Sequence, residues 1–152
     1  VWEKLATHLR PVGTLAWRWL EIEAGIPHIT LPTQEEFVPQ MANLELLGGV
    51  SFTKGCYPGQ EVVARTKYLG KVKRRTYRAH IDGGCPLPGT DLYSPDLPDQ
   101  SCGKVIESAL SPAGGCEILA SMLMASAEAG EVRVAAADGL RLSFRSLPYP
   151  LE

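Results

Sequence analysis

The chain has no apolar run near the roughly 18 residues that a membrane-spanning helix requires, the longest being Ile118 to Ala127. A helical integral membrane protein is therefore not expected. The amino end also lacks a charged segment followed by an apolar one, so no signal peptide is visible. The abrupt start at Val1-Trp2-Glu3, without a methionine, reads as a fragment from which a leader could have been cut, and Leu151-Glu152 reads as the scar of a cloned tag. Cysteine is sparse. The four at positions 56, 85, 102 and 116 form no C-x-x-C pair, which makes reduced thiols of a cytoplasmic or organelle-matrix protein the expectation. Cys85, Cys102 and Cys116 are expected as buried packing rather than as zinc or cluster ligands, so no metal is expected. His8, His28 and His80 are scattered and show no Ser-His-Asp or Cys-His order. No G-x-x-x-x-G-K-[ST] loop occurs, which leaves nucleotide hydrolysis unsupported.

What remains is the composition of a folded chain. With 152 residues, 45% hydrophobic and 21% charged, it has enough apolar surface for one ordinary domain or two small ones. The net charge of −2 hides an asymmetry, because eight cations face one acid, Glu61, between Lys54 and Arg78 while the rest is acidic. A basic stretch in an acidic chain points to an anionic partner, and the plain alternative is a solvated strand face.

Thr14 to Ala24 carries a helical stripe of Leu15, Trp19 and Ile22, widened by Ala16 and Leu20, and is stopped by Gly25 in the left-handed position with Pro27 beyond. Trp2, Trp17 and Trp19 are expected in the core or at domain contacts. Val50 to Phe52 reads as a short strand. Pro58 to Leu69 reads as a second helix, with proline at its first position and Gly70 as its stop. From Lys71 the pattern changes to short β-prone runs: Val72 to Ile81, Asp91 to Tyr93, Gly103 to Ala109, Glu117 to Met124, Glu131 to Ala136 and Leu140 to Ser146. Their near-regular spacing, broken by Gly, Pro and Asp clusters, predicts a small antiparallel barrel or sandwich beginning near Gly70, with no long helix after Gly84. Along Val72 to Ile81, Tyr77, Ala79 and Ile81 should face inward, and Arg74, Arg78 and His80 outward.

The densest cluster of chemistry is Lys54-Gly55-Cys56-Tyr57-Pro58-Gly59-Gln60-Glu61. Gly55 and Gly59 permit backbone conformations closed to other residues, while Lys54 and a helix amino end both favour negative charge beside Cys56. Those are conditions that promote a thiolate. The competing reading is a small buried cysteine in a tight turn.

The octet resembles the K-G-C-Y-x-G-Q-E signature of the YgfZ folate-binding proteins, relatives of the glycine-cleavage T-protein, an aminomethyltransferase. Ala24-Gly25-Ile26-Pro27, Phe37-Val38-Pro39-Gln40, Asn43-Leu44, Gly48-Gly49-Val50-Ser51-Phe52, Val63-Ala64-Arg65, Tyr68-Leu69-Gly70-Lys71 and Lys73-Arg74 follow that family in order and spacing. The resemblance is specific over residues 14 to 78 and general beyond. It implies an α+β protein: residues 1–70 as part of a T-protein-like folate-binding ring domain, and residues 71–150 as a carboxy-terminal antiparallel β-barrel. Family members are about twice as long, so the half supplying much of the folate pocket is absent. Glu21 departs from the family, standing where basic residues are often found.

What the resemblance implies for function is a tetrahydrofolate-binding accessory protein of iron–sulfur cluster assembly or maintenance, serving iron–sulfur enzymes that include tRNA-modifying ones. Its location would be cytoplasmic in bacteria and the mitochondrial matrix in eukaryotes. Cys56 would have a redox or thiol role, and Lys54, Tyr57, Gln60, Glu61 and Arg65 would be the folate-binding residues. Two alternatives stay open: a folate-dependent aminomethyltransferase, whose steering carboxylate would lie in the absent half, and a nucleic-acid-binding barrel using the basic segment 65–78. If Arg65, Lys67, Lys71, Lys73, Arg74 and Arg75 form one exposed surface, reversing Arg74 and Arg75 should spare the fold.

Overall fold

The computed structural model describes residues 1–151. A short helix α1 (Trp2–Ala6) precedes helix α2 (Thr14–Glu23), a 3-10 turn at Leu31–Thr33, and helix α3 (Gln60–Tyr68). Strands follow: β1 (Arg74–Ile81), β2 (Asp91–Tyr93), β3 (Gly103–Leu110) and β4 (Cys116–Leu123), then helix α4 (Met124–Ala129), β5 (Arg133–Val134) and β6 (Ser143–Arg145). All strand pairs are antiparallel in one curled six-stranded sheet of order β5-β2-β3-β4-β1-β6. Its two edges approach through a single stretch of chain: Arg141 bridges to Arg133 of β5, and Ser143–Arg145 pair with β1.

Period-2 alternation fills the inside of the curl. Ala79 and Ile81 of β1 pack with Cys116, Ile118, Ala120 and Met122 of β4, and Tyr77 joins them as expected. The outer face of the same strands is also covered, although most of its residues are polar. On β4, Leu119 lies under Ile22 of α2, and Ser121 Oγ donates to the Met41 carbonyl. On β1, Thr76 Oγ1 donates to that same carbonyl, and Arg78 reaches the Glu23 carboxylate at 3.1 Å. A bulge between Val105 and Glu107 shifts the register of β3, so Val105 points into the curl while Ala109 packs beneath α2.

Gly25 closes α2 at φ +70, as its position predicts. A Cβ there would also meet Tyr149 Cε1 at 2.8 Å, and the Tyr149 hydroxyl donates to the Gly25 carbonyl. The helix itself packs less than its stripe predicts. Ile22 is fully buried and Trp19 half-buried, but Leu15, Leu20 and Trp17 are exposed, as is Trp2 in α1. Only the last turns of α2 reach β3 and β4.

Several other expectations need correction. Val50–Phe52 is irregular, because no neighbouring strand offers it a ladder. Helix α3 begins at Gln60 rather than Pro58, since Gly59 in the left-handed conformation (φ +83) is its N-cap. Cys85 and Cys116 are not free thiols: they form a disulfide with Cα atoms 5.2 Å apart. The pairing Ile81↔Cys116 brings the loop after β1 beside the start of β4, so the fold supplies the proximity that the spacing concealed.

Arg75 is also not part of an exposed basic face. It is 5% exposed, with Nη1 donating to Glu45 Oε1 at 2.7 Å and to the Gln40 carbonyl at 3.0 Å. Arg75 Nε and Glu45 Oε2 are buried without a hydrogen bond, so the pair is held at one point and each ion depends on the other. Arg75→Ala should therefore destabilise the protein by roughly 3 kcal/mol in urea unfolding, and Arg75→Glu by more. Arg75→Met combined with Glu45→Leu should recover most of that loss, which identifies the stranded carboxylate as its cause.

Candidate functional site

Helix α3 is fastened to the sheet through residues 38–45. Gln40 Nε2 donates to the Val63 carbonyl at 2.6 Å, and the Gln40 carbonyl receives the Arg75 guanidinium. Asn43, at φ +57, pairs with the backbone of Thr76 in both directions: its Oδ1 accepts from the Thr76 N–H at 3.2 Å, and its Nδ2 donates to the Thr76 carbonyl at 2.8 Å. An asparagine amide tolerates the left-handed conformation and mimics a strand's hydrogen-bonding edge. With Val63 turned inward, the opposite side of α3 carries Glu61, Arg65, Tyr68 and Leu69 into solvent.

The octet loop lies across this helix. Ser51 Oγ accepts from the backbone N–H groups of Thr53 and Lys54, closing a turn. Gln60 N–H donates to the Tyr57 carbonyl while Gln60 Oε1 accepts from the Tyr57 N–H at 3.2 Å, a reciprocal pairing across the left-handed Gly59. Lys54 Nζ stands 4.8 Å over the Tyr57 ring, Lys67 Nζ 5.6 Å over the Phe52 ring, and Phe52 meets Tyr68 edge to face. Two adjoining depressions result, sharing Ala64 and Tyr68. The small one, about 50 Å³, is lined by Phe52, Lys54, Tyr57 and Gln60, and the open one, about 470 Å³, by Glu61, Arg65 and Leu69.

The fold thus gathers Lys54, Tyr57, Gln60, Glu61 and Arg65 along one side of α3. Cys56 is exposed in the irregular stretch before the helix, which removes the buried-packing reading. No hydrogen bond to its sulfur occurs among the described residues. Phe52 and Ala64 complete the site. The sequence placed Phe52 in a strand, and only its separation of 16 residues from Tyr68, crossing a helix start, could have suggested their contact. Among the described residues no group of three or more His, Cys, Asp or Glu side chains is arranged to hold a metal ion, and no helix is long and apolar enough to cross a membrane.

Two histidine clusters went unseen in the sequence. His28 sits between Glu21 and Glu107, giving the unusual Glu21 a partner at 3.5 Å. His80 sits between Asp82 and Glu117 at the wall of a polar depression of about 550 Å³.

No family model matches the chain. It is 34% identical over 151 residues to the tRNA-modifying protein YgfZ of Colwellia psychrerythraea, an alignment that covers 98% of this chain and 46% of the relative. The proteins of the same name from Cronobacter sakazakii and Yersinia enterocolitica are 44% and 45% identical over 91 residues, covering 59% of this chain and 28% of each relative. The chain belongs to the YgfZ family. It corresponds to the carboxy-terminal half and spans less than half the length of the Colwellia relative. In this family member the octet is therefore an exposed loop capped by α3, with its thiol facing solvent.

The two free thiols differ sharply. Burial is the main reason that the Cys102 thiol is pushed up to about 11, whereas Cys56 is exposed. Iodoacetamide should label Cys56 on the native protein and Cys102 only after unfolding, with Cys85 and Cys116 modified only after reduction. Peptide mass spectrometry reads all four positions.

Proposed function

We propose that the chain is the carboxy-terminal part of a tetrahydrofolate-binding accessory protein that maintains iron–sulfur enzymes, including enzymes that modify tRNA. The observation that carries this reading is the similarity over 98% of the chain to the Colwellia protein named tRNA-modifying protein YgfZ, with the octet presented around Gly59 at the surface. The groove on α3 has chemistry suited to a conjugated anion. Tyr57 offers an aromatic face, Lys54 a cation beside it, and Gln60 an amide that could pair with a pterin edge. Cys56 would be the thiol placed at the margin of that site.

A pocket of about 50 Å³ is too small to enclose a folate, whose sites usually bury most of the ligand in several hundred cubic ångströms. The remaining walls would come from the half of the family chain that has no counterpart here. The aminomethyltransferase alternative requires a steering carboxylate near the folate. Glu61 is exposed at the first turn of α3, and no observation favours it in that role.

Calorimetric titration with tetrahydrofolate tests the reading on two proteins: this chain alone, and the same residues joined to the amino-terminal half of the Colwellia relative. The joined protein should bind in the micromolar range or more weakly, and the chain alone at least about tenfold more weakly still. Equal affinity would place the whole site within residues 1–152, and no binding by either would remove folate from the account.

A further inference from the structure

Of the eight cations between Lys54 and Arg78, Lys54 stands over the Tyr57 ring in the octet loop, and the other seven fall into two groups. Arg74 donates to the Cys102 carbonyl, Arg75 is locked to Glu45 and Gln40, and Arg78 bridges Glu23 and Glu117. These three are part of the fold. Arg65, Lys67, Lys71 and Lys73 are exposed, and among the described residues none makes a side-chain hydrogen bond or ion pair. Arg65 lies on the outer side of α3, Lys67 on its flank with its ammonium over the Phe52 ring, and Lys71 and Lys73 in the lead of β1. In their midst stand two large side chains with little cover, Tyr68 at 68% and Leu69 at 86% exposed. Tyr68 meets Phe52 edge to face and still lines the open depression with Arg65.

We infer that this ridge, Arg65-Lys67-Tyr68-Leu69-Lys71-Lys73, is a contact surface for single-stranded RNA. Exposed cations without an acidic partner, spaced from the end of α3 to the lead of β1, match a phosphate backbone, and an exposed aromatic flanked by an apolar side chain gives an unstacked base a face to lie on. A duplex fits less well, because its bases are already stacked and cannot use Tyr68. An acidic protein segment would satisfy the cations and leave the Tyr68 ring unused. The ridge adjoins the proposed folate groups, since Tyr68 also lines the small depression with Lys54, Tyr57 and Gln60 and Arg65 is among the expected folate residues, but its readout, RNA binding in the absence of folate, is separate from the folate titration.

Fluorescence anisotropy with a labelled oligouridylate, at several potassium chloride concentrations, tests the surface on the full chain. The protein should bind with a log–log salt slope of about −3, the value for roughly four neutralised phosphates on a single strand. Lys71→Glu with Lys73→Glu should weaken binding at least about tenfold and flatten the slope. Tyr68→Ala should weaken it about tenfold with the slope unchanged, and Tyr68→Phe, which keeps the ring, should restore it. Circular dichroism confirms that each variant is folded. Absence of binding by the parent overturns the inference, as does undiminished binding by the folded charge-reversed variant. Displacement of the RNA by polyglutamate, with equal competition in parent and Tyr68→Ala, would assign the ridge to an acidic protein instead.

Discussion

The outer faces of β1 and β4 are polar and yet buried, and everything outside the curled sheet depends on how those polar groups are satisfied. A buried donor or acceptor without a partner costs on the order of 1–3 kcal/mol, so Thr76, Arg78 and Ser121 on those faces, with Arg75 at the start of β1, act as obligatory docking points rather than tolerant ones. Residues 38–45 meet that demand at one end through the Met41 and Gln40 carbonyls, the Asn43 amide and the Glu45 carboxylate. The end of α2 meets it at the other through Glu23 and the apolar plug of Ile22. Hydrogen-bond geometry fixes the register of the first 50 residues against the sheet more tightly than apolar contact alone would.

The same seam positions the site. Gln40 uses its carbonyl on Arg75 and its side-chain amide on the Val63 carbonyl, so a strand residue and a helix residue are held by one side chain and its backbone. Helix α3 is therefore oriented from beneath, and its other side stays free for ligands. The octet loop needs little further support: the Ser51 turn, the Tyr57–Gln60 exchange and the cation–aromatic contacts hold it locally. A site built this way presents its thiol and cations to solvent while its foundation is buried, which suits a surface completed by the rest of a longer chain.

The inward-facing half of the fold was legible in the sequence because alternation has a fixed period. Tyr77, Ala79 and Ile81 could be assigned inward from spacing alone, and the strand at Asp91–Tyr93 matched its expected bounds. Gly25 and Gly59 were legible because few residues accept positive φ. The outward cover was not. Arg75 reads as a surface charge until its buried partner Glu45, 30 residues away, is seen, and nothing local distinguishes Arg75 from the exposed Lys73. The stripe of α2 overstated its burial because periodicity shows which face is apolar and not how much of it meets a partner. The disulfide was hidden because Cys85 and Cys116 meet only through the β1–β4 pairing. The octet could be found from its motif and its grouping on α3 followed from the helix, whereas the contribution of Phe52 required the tertiary fold.

Hydrogen–deuterium exchange on Asn43→Ala tests most directly whether the polar seam is the foundation of the site. The Thr76 N–H would lose its acceptor, so exchange should quicken at Thr76, through residues 38–50 and in α3, while the β3–β4 ladder keeps its protection. Unchanged exchange in α3, or equal loss of protection in β3 and β4, would contradict the account.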